Sequence, residues 1–243
     1  MKALLLMLLY VWTPLRQETS LEVFVTCRTP ELFSDYRNFN FKQEVVPGAG
    51  GLNVKIKSRT LSLGNLNHRI RTAEPYLAAQ GPEIRRVFSQ VRLNALSVAD
   101  YLKNINDFLK HRIVYSEADL PQEAEAVLAQ AQGHCIGFAN VAQSLLACIG
   151  IASRPVNGFY LREEGGRVEP VPHRWLEIEL PGEHRVFYDP QYQDFSSRYL
   201  VTNLGFPLQG VSVLPASSSG KAKKYWMNEV GTWKNSSASA WKN

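Results

Sequence analysis

Between Gln132 and Pro155 the chain sets a glycine and a cysteine just ahead of an apolar helical period, and this order constrains the fold more than any other stretch. From Ile136 the residues Phe138, Ala139, Ala142, Leu145, Leu146 and Ile149 recur at steps of three and four, which predicts a helix with one buried face. Gly150 ends it, as a residue free to take positive φ. Gly133 predicts a sharp entry into the helix and room for a substrate backbone to approach. Cys135 then falls in the first turn, where unpaired amides and the helix dipole favour thiolate over thiol. A lone thiol is otherwise an inert core residue. A nucleophilic role requires a base from elsewhere in the chain.

That base is found in His173-Arg174-Trp175-Leu176-Glu177-Ile178-Glu179-Leu180, which with Arg185-Val186-Phe187-Tyr188-Asp189-Pro190 reads as two strands joined by a turn. His173 opens the first strand and Asp189 ends the second, so an antiparallel pair brings both to the end far from the turn. Register decides whether they share a face. A two-residue turn at Gly182-Glu183 pairs Leu180 with Arg185 and sends Asp189 to the face away from His173. A five-residue loop over 179–183 pairs Ile178 with His184 and sets His173 directly across from Asp189. The wider loop, or a bulge that restores the parity, is the expectation.

The segments Gly133-His134-Cys135, Gly150 to Phe159, His173-Arg174-Trp175-Leu176-Glu177 and Tyr188-Asp189-Pro190 resemble the core of the transglutaminase-like superfamily, a branch of the papain-like cysteine fold, over roughly residues 93–192. The order Cys, His, Asp matches, and separations of 38 and then 16 positions are those of compact microbial members. The resemblance implies Cys135 as nucleophile, His173 as base and then acid, Asp189 as the group that orients the imidazole, and Trp175 packed beside the site. Tyr115-Ser116 is similar to a pair that often precedes the catalytic region. His134 stands where the family varies, and Gln132 where many relatives carry arginine. The implied fold class is α+β, a papain-like or transglutaminase-like core with the cysteine at a helix N-terminus packed on an antiparallel sheet that carries the histidine and aspartate.

The chemistry this constellation implies is acyl transfer through a thioester on a peptide bond or glutamine amide. Water as acceptor gives hydrolysis, and an amine gives crosslinking. Acidic residues at calcium-ligand spacing are absent from the sequence, which favours the peptidase or amidase. The oxyanion is expected at the Cys135 amide with a second donor, Gln132 or a neighbouring amide. Two other readings stand beside this one: a scaffold that keeps the fold only for binding, and an envelope-binding module whose basic aromatic tail does the work. The expected partner is a protein or peptide substrate, with no cofactor, no metal and no nucleic acid, since the sequence has no zinc-ligand spacing, phosphate loop or nucleic-acid motif.

In chain order, residues 1–16 read as a signal peptide, because Lys2 precedes an apolar run from Ala3 to Trp12 that is too short to span a bilayer. The protein is then exported to the periplasm or secreted; the alternative is a cytoplasmic protein whose N-terminal run is buried. Residues 17–82 form a β-rich segment, with turns at 47–51 and 64–65 and alternation in 52–57. Residues 83–215 hold the transglutaminase-like catalytic core. Helices are expected from Glu83, from Ser97 as N-cap, and over 123–130, with His111 capping the second. Cys27 and Cys148 read as structural, and three cysteines in all make no disulfide framework. Residues 216–243 form a basic, serine- and tryptophan-containing tail. It contributes to the formal charge of +5, consistent with contact to an anionic envelope.

Overall fold

The computed structural model describes residues 18–27, 30–59, 68–164, 167–180, 184–192 and 197–202, with the backbone of 212–215, 224–227 and 233–236. The expected signal peptide and most of the C-terminal tail lie outside the described residues.

The molecule is α+β, as expected. Strands β1 (Glu18–Thr26), β2 (Tyr36–Arg37), β3 (Phe41–Gly48) and β4 (Gly51–Arg59) are followed by helices α1 (Glu74–Ala78), α2 (Pro82–Arg92) and α3 (Val98–Arg112). Then come β5 (Val114–Tyr115), α4 (Ala124–Gln130), β6 (Gln132–Gly133) and α5 (Cys135–Ala147). The long strands β7 (Ser153–Glu164) and β8 (Arg167–Leu180) lead to β9 (His184–Tyr188), β10 (Tyr199–Val201), β11 (Ser212–Pro215), β12 (Lys224–Met227) and β13 (Trp233–Ser236). One antiparallel sheet has the order β11-β1-β4-β3-β2 and the other β10-β7-β8-β9; β5 and β6 form a short parallel pair.

The β7–β10 sheet is a middle layer. Along β8 the alternation sends Leu176, Ile178 and Leu180 into a core with Val87 and Val91 of α2, Tyr101 and Ile105 of α3, and Ala142 and Leu145 of α5. Trp175 points the other way, into a second core with Val23, Val25, Val54 and Ile56 of the N-terminal sheet. Apolar burial on both faces of their middle stretches lets β7 and β8 lie between two layers.

Buried polar groups fix the two sheets in register. Gln43 donates to the Val201 carbonyl and accepts from the Val201 amide, and Asn40 makes the same reciprocal pair with Phe187. The Glu177 carboxylate accepts from Tyr36 Oη at 2.6 Å, from Asn38 and from Arg154 Nε at 2.7 Å. Only 3% of Glu177 is exposed, so these partners are what make its burial tolerable.

The helix ends follow the sequence closely. Ser97 and Asp100 close a reciprocal capping box at α3. At the end of α5, Gly150 has φ of 74°, its amide donates to Ala147 O, and Ile151 N–H reaches Leu146 O, the paired bonds that terminate a helix in a left-handed residue. His111 Nδ1 donates to the Asp107 carbonyl within its own helix end. Cys148 is core, its thiol donating to Ser144 O, and none of the three cysteines is in a disulfide. No described helix is long and apolar enough to cross a membrane.

Candidate active site

Cys135 is the first residue of α5, and the approach to it is held in place from several directions. His134 is the N-cap in extended conformation, and its Nδ1 accepts from Ile136 N–H at 3.3 Å. The His134 amide donates to Gln122 Oε1 at 3.0 Å, and Asn140 of α5 donates to the Gln122 carbonyl at 2.8 Å. Gly137 makes this possible: a Cβ there would lie 2.5 Å from Gln122 Oε1. Gly133 does not have the positive φ that a sharp turn would use; it lies in β6, and a Cβ there would sit 3.1 Å from Val127. Its contribution is close packing. Ser116 N–H donates to Gly133 O, which sets the Tyr115-Ser116 pair beside the cysteine, with the Tyr115 ring 6.3 Å from Phe138. Gln132 is exposed in β6.

His173 and Asp189 meet, although not by the register expected. Leu180 pairs with His184, so the β8–β9 connection contains three residues rather than five. On this ladder Trp175 is the residue that stands opposite Asp189, and His173 reaches it on the diagonal. The parity is the expected one, because a shift of two residues keeps both side chains on the same face, and diagonal neighbours remain within reach of long side chains. His173 Nε2 and Asp189 Oδ2 are 2.6 Å apart, with 4% and 2% of the two residues exposed. A carboxylate can only accept, so Nε2 carries the proton and Nδ1 is left for the sulfur.

Burial raises the Cys135 pKa, but hydrogen bonding to His134 and His173 and their charges outweigh it and bring it down to about 6. Burial lowers the His173 pKa, but the Asp189 charge and hydrogen bond, joined by Cys135, raise it to about 10. The two shifts are linked: beside the contributions of Asp189 and His134, the thiolate and the imidazolium stabilise each other in a buried site. Cys148, by contrast, is pushed up to about 11 by burial alone.

Aromatic rings enclose the imidazole. Trp175 stacks on it at 6.1 Å, as expected for a residue beside the site, and Tyr192, Tyr199 and Tyr160 surround it at 5.5, 6.1 and 6.4 Å. Asp189 Oδ1 accepts from the amides of Gln191 and Tyr192, and Oδ2 accepts from Tyr199 Oη at 2.6 Å as well as from His173. None of these tyrosines was legible as a site residue. Tyr192 and Tyr199 follow Asp189 in a stretch without periodicity, and only the run of aromatics there could have pointed to them.

Residues 85–190 match the family model described as the transglutaminase-like superfamily. The match begins earlier than the motifs alone implied and takes in most of α2 as well as the segment from α3 to Pro190. As a whole, the chain resembles in fold a protein from Cytophaga hutchinsonii put forward as a cysteine protease, at 11% identity over 89% of this chain and 94% of that one, with a TM-score of 0.50. Similarity also extends to the periplasmic domain of TgpA from Pseudomonas aeruginosa, at 13% identity over 73% and 72%, TM-score 0.47. A structure called a TGase matches at 16% identity over 61% of this chain and 43% of that one, TM-score 0.39. No curated protein matches the chain. Proteins with a transglutaminase-like core are generally cysteine-dependent enzymes. Among the described residues, no group of three or more His, Cys, Asp or Glu side chains is arranged to hold a metal ion.

Proposed function

We propose that Cys135, His173 and Asp189 are the catalytic triad of a thiol-dependent amide hydrolase, a peptidase or amidase that works through a thioester. The observation that carries the reading is the 2.6 Å bond from His173 Nε2 to Asp189, on a ring that also interacts with the Cys135 thiol at the start of α5.

The steps follow from these positions. The Cys135 thiolate attacks the amide carbonyl, and the C=O pair moves onto oxygen, where the Cys135 N–H can receive it; this amide has no acceptor among the described residues. The tetrahedral species collapses as His173 Nδ1 delivers its proton to the departing nitrogen, breaking the C–N bond and leaving the thioester. Water then gives a proton to His173 as its oxygen attacks, and collapse releases the acid and restores the thiolate. Throughout, Asp189 accepts from Nε2 and holds the ring in place.

Water is the favoured acceptor on steric grounds. Cys135 and His173 are each 4% exposed. A lysine amine on its stem needs a second opening beside the one that admits the acyl donor, whereas water does not. Wild type and Cys135→Ala, assayed with peptide amides in the presence and absence of a primary amine, test both levels. Hydrolysis lost in Cys135→Ala supports the reading, amine incorporation in place of hydrolysis makes the enzyme a crosslinker, and turnover that survives the substitution refutes it. Export is proposed on Lys2 and the apolar run that follows, and the mass of the mature protein recovered outside the cytoplasm tests it.

A further inference from the structure

Tyr199 shares its acceptor with the proposed base. Tyr199 Oη and His173 Nε2 both donate to Asp189 Oδ2 over 2.6 Å, while Oδ1 takes the amides of Gln191 at 2.8 Å and Tyr192 at 3.2 Å. With four donors on two oxygens, the buried carboxylate cannot rotate without breaking hydrogen bonds. Tyr199 is fully buried, with ring centroids 5.1 Å from Trp175 and 5.4 Å from Tyr160. Its strand is brought there by two contacts. Gln43 holds Val201 by both backbone groups, and Gly158 lets β10 approach β7, since a Cβ at 158 would lie 2.0 Å from Leu200 O. So much construction around one phenol is more than a filled cavity requires.

We propose that Tyr199 is a positioning residue for the thiol–imidazole pair: its hydroxyl fixes the Asp189 carboxylate and takes up part of the charge on Oδ2 that would otherwise face His173. The carboxylate then orients the ring without holding its proton too strongly for transfer at Nδ1. The titratable groups facing the ring are Cys135 from α5, Tyr160 from β7, Asp189 and Tyr192 beyond β9, and Tyr199 from β10. Of these, only Tyr199 and the ring itself donate side-chain hydrogen bonds to Asp189 among the described residues. The effect on turnover rests on the catalytic reading above; the effect on the ring does not.

Tyr199→Phe removes the hydroxyl and keeps the packing. Alkylation of Cys135 by iodoacetamide reports the pair without any substrate. The rate rises once as the thiolate–imidazolium pair forms, and again as His173 loses its proton. In Tyr199→Phe the imidazolium faces a less shared charge, so the second rise moves to higher pH, by about threefold or more in the ionisation constant. Peptide amide turnover falls about tenfold. Replacing Tyr199 with 3-fluorotyrosine keeps the fold and donates more strongly, and it should move the second rise in the opposite direction. A second rise that stays fixed in both variants, or moves the same way in both, overturns the proposal. Shifts of opposite sign in a protein that turns over no amide support it and refute the acyl-transfer reading alone.

Discussion

Removing His173 should change the chemistry of a sulfur 38 positions earlier in the chain, and the size of the change can be worked out. Cys135 lies at about 6 against an ordinary 9.0, so near pH 5 about one molecule in ten is thiolate where an ordinary thiol would reach about one in ten thousand. Ionisation therefore favours Cys135 about 900-fold. A less basic sulfur is also a weaker nucleophile, and with a Brønsted coefficient of about 0.45 the three units cost about 20-fold. About 40-fold remains near pH 5, but only about fourfold near pH 7, where Cys135 is already almost fully ionised. The sign fixes the window. Because the shift is downward, the rate falls as pH drops through about 6, and the advantage over an ordinary thiol is largest below that point, is gone between about pH 7 and 8, and reverses above that. Iodoacetamide labelling near pH 5, with Cys135 and Cys148 read separately by peptide mass, should fall about tenfold or more in His173→Ala; His134 still flanks the sulfur and keeps part of the effect. The substitution also opens space at a site where Cys135 is 4% exposed, so access works against the expected fall. A midpoint of the labelling rate against pH that stays near 6, whatever access does to its height, would show that the imidazole does not control the thiol.

Cys148, pushed up to about 11 and buried, should remain unlabelled under the same conditions until the protein is denatured, which peptide mass mapping checks. Asp189→Ala removes the main charge that raises His173, so its proton should leave at lower pH, toward 6.5; the alkaline limb of the pH–rate profile moves down, and turnover at neutral pH falls about 100-fold. Gly158→Ala drives a methyl group to 2.0 Å from Leu200 O and 2.8 Å from Trp175, and should destabilise by about 3 kcal/mol or more in a denaturant titration. Gly150→Ala meets nothing closer than 3.6 Å, so only the left-handed backbone is penalised, at about 1 kcal/mol in the same titration. Ser97→Ala opens the capping box of α3 and should cost about 1 kcal/mol by the same measure.

The features legible in the sequence are those carried by a few neighbouring residues. Ser97 with Asp100 at the start of α3, Gly150 at the end of α5, and the apolar stripes of α2, α3 and α5 are local interactions, so residue type and spacing suffice to identify them. Helix α1 escaped because its five residues offer only the partly buried Leu77 to the core and so leave no periodic trace. Strand β10 escaped for a different reason. Its three residues are too few for alternation to register, and its place depends on Gln43 and Gly158, which are 158 and 43 positions away from Val201 and hold it by backbone contacts that no local pattern encodes. Tyr199 came with it. The polar network at Glu177 is hidden in the same way, since Tyr36 and Arg154 reach it across 141 and 23 positions.

Register shows where the boundary between legible and hidden falls. The chemistry required His173 and Asp189 on one face, and that excluded every odd offset of β9 against β8, including the two-residue turn. It did not separate the even offsets, because a direct pair and a diagonal pair both let an imidazole reach a carboxylate. What selected the three-residue connection is packing on the opposite face. Leu176 stands against Tyr188 and Ile178 against Val186, all buried against the helices, and Tyr188 Oη donates to Asn106 of α3. Moving β9 by two residues to bring Asp189 directly across would carry Tyr188 away from Asn106 and leave a buried amide oxygen without its donor. The core on the helix side thus sets the register, and the site on the other face takes the diagonal that this register leaves to it.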